Sequence, residues 1–335
     1  MQTLSRTQPI TDGGQEKITR FVVTGSSGTL GSRVLELLSR QEGAQILALL
    51  REGSRIRMQR DGIEYQRLDF FDRDACGRAL EDFQPQSMIH CAASGVQIPK
   101  PKWFDLIRFN IDTTIHLCEC LAQMGNCRFV FVSTGLAYRE TGRPLKEDDA
   151  LDTRHAYGAS KAAADLLVRA AAAEFGVPLT VLRPFSFAGV NDDGRRLFPA
   201  ILRAAQEATP VNLSPGTQVR DYSAVDDIAA GVVAAAIDRR EDTLGMFNLG
   251  SGNAPRLRDV VEEVLDELGL KVDLRWGERE FSRFEPMHLV ADVTLARERL
   301  NWEARTSLAY AIWELAQTSF PALKVKTPRR RLVDG

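Results

Sequence analysis

The stretch Ile18-Thr19-Arg20-Phe21-Val22-Val23-Thr24-Gly25-Ser26-Ser27-Gly28-Thr29-Leu30-Gly31 decides how the rest of the chain is read. Ile18 to Val23 is a short apolar run rich in β-branched residues, the pattern of a buried strand. A glycine-rich turn follows at once, and Ser32 to Arg40 continues with the amphipathic spacing of a helix. Strand, glycine turn and helix are the parts of a dinucleotide site. The glycines let the backbone approach a pyrophosphate, and the helix N-terminus offers free N–H groups and the positive end of its dipole. Gly25, Ser27, Gly28, Thr29, Leu30 and Gly31 are therefore candidates to line the phosphates, in a GxxGxxG rather than GxGxxG spacing.

Outward from this turn, strands and helices alternate. The apolar run Gln45 to Leu50 ends at Arg51, twenty residues past Gly31, where sites specific for NAD place an acidic residue for the ribose. A cation there suits a 2′-phosphate, with Ser54 as a helper, so NADP(H) is favoured and NAD(H) is the alternative. A third strand, Glu64 to Leu68, ends in Asp69-Phe70, placed to meet the adenine. A fourth, Ser87 to Cys91, ends in the small residues Ala92-Ala93-Ser94-Gly95, across which a cofactor could lie. A helix from about Trp103 to Met124 leads to a fifth strand, Arg128 to Val132, ending in Ser133-Thr134-Gly135. The alternation predicts a Rossmann-type α/β fold, a doubly wound parallel sheet with ligands at the carboxyl ends of its strands.

Next comes Tyr157-Gly158-Ala159-Ser160-Lys161, opening an Ala-rich helix to about Glu174. Tyr157 and Lys161 are four apart and share one helix face. A nearby ammonium lowers the pKa of a phenol, and such a pair can move a proton to or from an alcohol or carbonyl oxygen. The strand Leu179 to Leu182 and the segment Arg183 to Gly189 follow. Beyond Gly189 the rhythm changes. A polar loop at Asn191 to Arg195, helices at Leu197–Ala208, Ile228–Arg239, Leu257–Leu268 and Leu308–Thr318, and strands at Met246–Leu249 and Val272–Trp276 suggest a smaller α/β lobe. The expected division is a flexible leader over 1–17, a dinucleotide-binding domain over 18–185 with about 222–250, a substrate lobe over about 186–221 and 251–322, and a basic tail over 323–335. A cleft should separate the lobes.

Composition narrows the field. A formal charge of −2 over 335 residues argues against nonspecific nucleic-acid binding, and Arg329-Arg330-Arg331 reads as a solvated end. The five cysteines (Cys76, Cys91, Cys118, Cys120, Cys127) have no framework spacing and point to reduced thiols in a cytoplasmic setting. No His/Cys spacing resembles a zinc site, so no metal is expected, and His90, His116, His155 and His288 read as packing or surface residues. The longest apolar run, Ile228 to Ile237, is too short to span a bilayer, and the N-terminal stretch lacks the apolar core of a secretory signal.

Taken together, the chain resembles the extended short-chain dehydrogenase/reductases, the NAD-dependent epimerase/dehydratase family. The matching positions are Gly25, Gly28 and Gly31, Asp69, Asn110, Ser133-Thr134, Tyr157 with Lys161, Arg183-Pro184, Arg220-Asp221 and Val225-Asp226-Asp227, in order over nearly the whole chain. The resemblance implies that Tyr157 is the acid–base, that Lys161 binds the nicotinamide ribose, and that Thr134 hydrogen-bonds the reacting oxygen. It puts Val132, Asn110, Pro184 and Ser186 with Cys91, Ala92 and Ala93 at the cofactor. Ser94, Ser133, Asn191 and Phe198 join Thr134 at the substrate. Arg220 matches the family's diphosphate arginine, and a second is expected before Val290-Ala291-Asp292, where Arg283 fits better than Arg275. It also implies a homodimer through a four-helix bundle of the Trp103–Met124 and Tyr157–Glu174 helices.

Departures from the pattern narrow the activity. Dehydratases of the group carry Asp-Glu directly after the Thr, where this chain has Gly135-Leu136, so loss of water is not expected. Ser186 replaces a usual Asn, and Tyr138-Arg139 a usual Tyr-Gly. Arg51 tips the expectation toward a reductase of a 4-keto-6-deoxy sugar on a nucleoside diphosphate. The alternatives are a nucleotide-sugar 4-epimerase, a reductase of a non-nucleotide carbonyl, and a nucleotide-sensing regulator, against which the intact Tyr157-Lys161 pair counts.

Overall fold

The computed structural model describes residues 18–96 and 101–330. The expected leader over 1–17 and the end of the basic tail, 331–335, lie outside the described residues. The first half runs β1 (Arg20–Thr24), α1 (Thr29–Leu38), β2 (Gln45–Leu50), β3 (Ile63–Arg67), α2 (Arg73–Phe83), β4 (Ser87–His90), α3 (Trp103–Leu106), a π-helical turn (Ile107–Asp112), α4 (Thr113–Ala122), β5 (Arg128–Val132), α5 (Ala156–Phe175) and β6 (Leu179–Pro184). The second half runs β7 (Ser186–Ala188), α6 (Leu197–Glu207), β8 (Val211–Leu213), β9 (Val219–Arg220), β10 (Tyr222–Ala224), α7 (Val225–Ile237), β11 (Gly245–Leu249), α8 (Leu257–Leu268), β12 (Leu274–Trp276), β13 (His288–Leu289), α9 (Thr294–Leu300) and α10 (Leu308–Ser319).

Seven strands form one parallel sheet in the order β11-β6-β5-β4-β1-β2-β3. Its central strands are apolar on both faces because helices cover both, as parallel sheets require. Phe21 and Val23 of β1 pack on one side with Val34, Leu35 and Leu38 of α1 and Ile228, Val232 and Ala236 of α7. Val22 points the other way, into Leu80 of α2, Leu117 and Leu121 of α4 and Ala164 and Val168 of α5. The order places the β1–β4 junction, where the chain reverses direction across the sheet, at its middle, and open α/β sheets bind ligands at such a switch point.

Two helices lie where the sequence pattern predicts none. In α2 only Cys76, Ala79 and Leu80 are buried, too thin a stripe to register as amphipathic, although the Asp72 carboxylate caps it by accepting the Ala75 N–H at 3.0 Å. The other, α9, is only seven residues long. The expected continuous helix from Trp103 to Met124 is interrupted by the π-helical turn, and the extra residue in that turn sets the facing of Asn110. All five cysteines are free, and burial pushes their thiols up, that of Cys91 to about 12.

A separate hydrophobic core is formed by Phe198, Ile201 and Leu202 from α6, Val261, Leu265 and Leu268 from α8 and Ile312 and Leu315 from α10. Phe198, expected to touch substrate, is instead a buried member of this core, edge-on to Tyr222 at 5.6 Å. The buried Asp221 carboxylate joins the end of β9 to the segments that follow β11 and β13. Asp221 accepts from Ser251 N at 2.7 Å, Ser251 Oγ at 2.7 Å, Gly252 N at 3.0 Å and Ala291 N at 3.1 Å. Burial alone raises the pKa of such a group, and these donors oppose the rise. Among the described residues no helix is long and apolar enough to cross a membrane, and no group of three or more His, Cys, Asp or Glu could hold a metal.

Candidate active site

A cleft of ≈ 1000 Å³ runs across the carboxyl ends of the central strands and under the second lobe. Its first half is made of backbone. Gly28 N–H donates to Gly25 O at 2.9 Å and closes the turn, and Gly28 is then an N-cap without any side-chain cap, so the leading N–H groups of α1 remain open to an anion. Gly25 sits at φ +73°, and a Cβ there would stand 2.6 Å from Ala92 N; at Gly31 it would stand 2.2 Å from Gly25 O. Side chains at either position would push apart the turn and the end of β4. Arg51 stands at the mouth, its guanidinium 4.6 Å from the Phe109 ring centre, with Ser54 and Phe70 on the same wall. Ser27, Thr29, Leu30, Cys91, Ala92 and Ala93 line this half as well. Asp69 does not: it is exposed, and its side chain accepts the Phe71 N–H at 3.0 Å, shaping the turn into α2.

At the middle of the cleft, Val132, Ser133, Thr134, Tyr157, Pro184 and Ser186 come together, with Ser94 opposite. Thr134 Oγ1 accepts the Leu136 N–H at 3.2 Å, which leaves its own proton free to donate. Lys161 lies behind Tyr157 and is 1 % exposed, with its Nζ 4.1 Å above the Phe131 ring and no hydrogen-bond partner. Burial pulls its pKa down to about 7. Burial also pushes the Tyr157 phenol up, and the cation that pulls it back is Arg196, not the Lys161 of the sequence reading. Asn110 is fully buried and does not line the cleft. It accepts the Ser94 N–H at 2.7 Å and donates to Ser94 O at 2.9 Å and Ser160 Oγ at 2.8 Å, locking the β4 loop to the Tyr157 helix.

A nicotinamide dinucleotide fits this half. The orphaned ammonium of Lys161 needs hydroxyl acceptors such as a ribose diol supplies, and the glycine cradle would close if filled by Cβ atoms. The turn Gly25–Gly31 would take the pyrophosphate, Arg51 and Ser54 the adenosine ribose, Phe70 the adenine, and Pro184 and Ser186 the nicotinamide.

The other half is made of charged side chains on loops. Arg220 Nη2 pairs with Glu285 at 2.6 Å and also donates to Pro286 O, while its Nη1 donates to Val219 O at 2.9 Å. Arg196 pairs with the buried Asp192 at 2.7 Å and donates to Phe187 O at 2.6 Å. Arg195 and Arg279 line the same region. Arg283 does not: it is exposed and stacks on Phe284 at 5.2 Å, and Arg275 pairs outward with Asp273. Asn191 also faces away from the substrate space. At φ +66° its side chain donates to Ser32 Oγ at 3.1 Å and accepts from Arg57 at 3.1 Å, while its carbonyl accepts from Thr29 Oγ1 at 3.0 Å. His155, Arg196, Arg279 and Glu285 are cleft residues that the sequence reading did not select. Only proximity in the fold distinguishes them from surface charges.

A model of the NAD dependent epimerase/dehydratase family matches residues 21–250. The UDP-glucose 4-epimerase of Streptomyces lividans is 31% identical over 320 residues, spanning 88% of this chain and 95% of that protein. The UDP-glucuronate 4-epimerase of Thermodesulfobacterium geofontis (strain OPF15) is 27% identical over 308 residues, spanning 86% and 92%. Among solved structures, MoeE5 in complex with UDP-glucose and NAD matches with a TM-score of 0.79 at 25% identity, over 90% of this chain and 99% of that one.

Proposed function

The chain belongs to the NAD dependent epimerase/dehydratase family, and we propose that it inverts the C4 hydroxyl of a nucleoside-diphosphate hexose through a 4-keto intermediate. The observation that carries this reading is the convergence of Tyr157 and Thr134, with its free proton, in the cleft, with the unpartnered Lys161 nitrogen buried behind Tyr157. A nicotinamide dinucleotide, when bound, supplies reversible hydride transfer. Tyr157 takes the hydroxyl proton as the ketone forms and returns it as the ketone is reduced from its other face. Thr134 donates to the same oxygen and holds it in place, and both groups steady its developing charge. Lys161, buried behind Tyr157 with no hydrogen-bond partner, would hold the ribose hydroxyls on the nicotinamide side of the dinucleotide. Gly135 and Leu136 give no carboxyl pair to carry water off adjacent carbons. The relatives support UDP as the carrier and C4 as the reacting carbon, and the neighbour that binds NAD supports NAD(H).

One feature favours a second reading. Arg51 stands where a ribose-binding acid would repel a 2′-phosphate, and it supports NADP(H) and with it a 4-ketoreductase that exchanges cofactor every turnover. The two readings part in one experiment. An epimerase purifies with bound NAD and converts UDP-glucose with no net change in absorbance at the reduced nicotinamide band. Stoichiometric consumption of NADPH with a 4-keto sugar nucleotide would replace it with the reductase.

We also assign a homodimer. Trp103 (59% exposed) and Phe104 (66%) on α3, Ile107 (51%) in the π-helical turn after it, and Leu166 (52%) and Leu167 (49%) on α5 are apolar side chains left exposed in the monomer. Light scattering should give twice the monomer mass, and Phe104→Glu with Leu167→Glu should halve it; a monomeric parent would end the assignment.

A further inference from the structure

His155 lines the cleft and has no part in the mechanism above. It is the N-cap of α5, two residues before Tyr157, and its Nδ1 accepts the Gly158 N–H at 3.3 Å. A backbone N–H always donates, so Nδ1 carries no proton and the neutral ring holds its proton on Nε2. Burial favours this uncharged form, and Glu285, near enough to feel the ring, opposes it. The imidazole stands edge-on to Tyr157 with 6.4 Å between ring centres. Among the described residues the ring makes no hydrogen bond besides the cap, so Nε2–H is an unspent donor on a residue that lines the cleft.

We propose that His155 donates this proton to an oxygen of the substrate's sugar and so acts as a specificity residue, with the same ring capping the catalytic helix. The proposal rests on the function given above. Its placement singles out the sugar. The reacting hydroxyl must meet Tyr157, the ring lies beside that phenol, and the cations suited to a diphosphate, Arg220 and Arg279, come from β9 and the loop after β12. With Nδ1 held by the cap, the ring cannot turn its Cε1–Nε2 edge without losing the Gly158 bond. The donor therefore has a fixed direction, which is what discrimination between epimeric hydroxyls needs.

The test compares UDP-glucose with UDP, the two probes differing only in the glucose esterified to the β-phosphate, on protein as purified. In His155→Asn the side chain can still cap the helix but falls short of the Nε2 position. The Kd of UDP-glucose should rise about tenfold, the worth of one donor lost from a polar contact, while that of UDP stays within about twofold. His155→Ser, also a good cap, should behave the same way and guards against a fold defect peculiar to Asn. A Kd for UDP-glucose unchanged in both variants overturns the proposal, as does an equal rise for UDP, which would put the donor on the diphosphate. The function stands or falls separately, on whether the parent turns UDP-glucose over; a parent that binds neither probe overturns both.

Discussion

The two halves of the cleft are built from different materials. The cofactor half is backbone: a glycine turn, open N–H groups of α1 and small residues where β4 ends, with tolerances of a few tenths of an ångström. The substrate half is side chain: Arg220 of β9 with Glu285 and Arg196 at the start of α6 with Asp192, long groups already satisfied by partners that a substrate must displace or share. Tyr157 and Thr134 stand on the seam. A backbone site accepts one shape of ligand and no change of residue. A side-chain site exchanges specificity one residue at a time. The contrast teaches how relatives at about this identity can be named for different sugars, UDP-glucuronate in one and UDP-glucose in another.

Tyr157→Phe attacks the seam and should have the largest effect. It removes the proton carrier while leaving the phenyl packing, so turnover should fall by about 10²–10⁴-fold with cofactor affinity near that of the parent. Retained turnover in a rate assay would remove Tyr157 from the chemistry. Gly31→Ala tests the backbone half. Its new methyl has no room against Gly25 O, and the strain should cost ~1–3 kcal/mol in chemical denaturation and abolish dinucleotide binding. A variant that binds cofactor normally would show that the cradle yields to a methyl group.

Arg220→Ala tests the side-chain half. Loss of a charge-assisted contact worth ~1.5–3 kcal/mol should raise the KM for a UDP-sugar by about tenfold or more and leave the cofactor Kd unchanged. If the cofactor Kd moves equally, the halves are not independent. A further test is a pH dependence. Lys161 has a folded pKa of about 7 against an unfolded value near ~10.4, so between those limits the unfolded chain binds the extra proton. Its burial penalty is fully present below pH 7 and relieved as pH rises toward ~10, so stability from this group increases with pH over that window. Melting curves of the parent and Lys161→Met should therefore converge as pH rises from 7 to about 9.5; a constant difference would contradict the burial of a charged ammonium.

Legibility in the sequence followed the same division. The glycine turn, the strand ends and Tyr157 with Lys161 are local patterns with fixed spacing, and they could be read from neighbours in the chain. Arg196, Arg279 and Glu285 meet across loops far apart in sequence, so no spacing marks them. Phe198 and Arg283 were assigned by motif position, and tertiary packing sent one into a core and the other to the surface. Asn191 looked like a polar loop residue near the sugar, and its left-handed backbone turns it back onto α1. His155 was passed over because a cap and a scattered histidine look alike until the helix start is fixed. The Arg51 reading was chemically sound for a phosphate, yet a single exposed cation weighs less than the NAD bound by a whole-length structural neighbour.

The last strand of the sheet has a consequence for how the protein is made. Strand β6 ends at Pro184, and the strand that covers its outer edge, β11, spans Gly245–Leu249. Everything between, including α6 and α7, must leave the ribosome before that edge is paired. During this interval, several seconds at ~5–20 residues per second, a nascent chain presents the buried strand Leu179–Pro184 with a row of open N–H and C=O groups. The vulnerable moment in the life of this enzyme is therefore late in translation, when the nucleotide-binding half is already translated but its flank is bare, and there a holding chaperone would have most to shield.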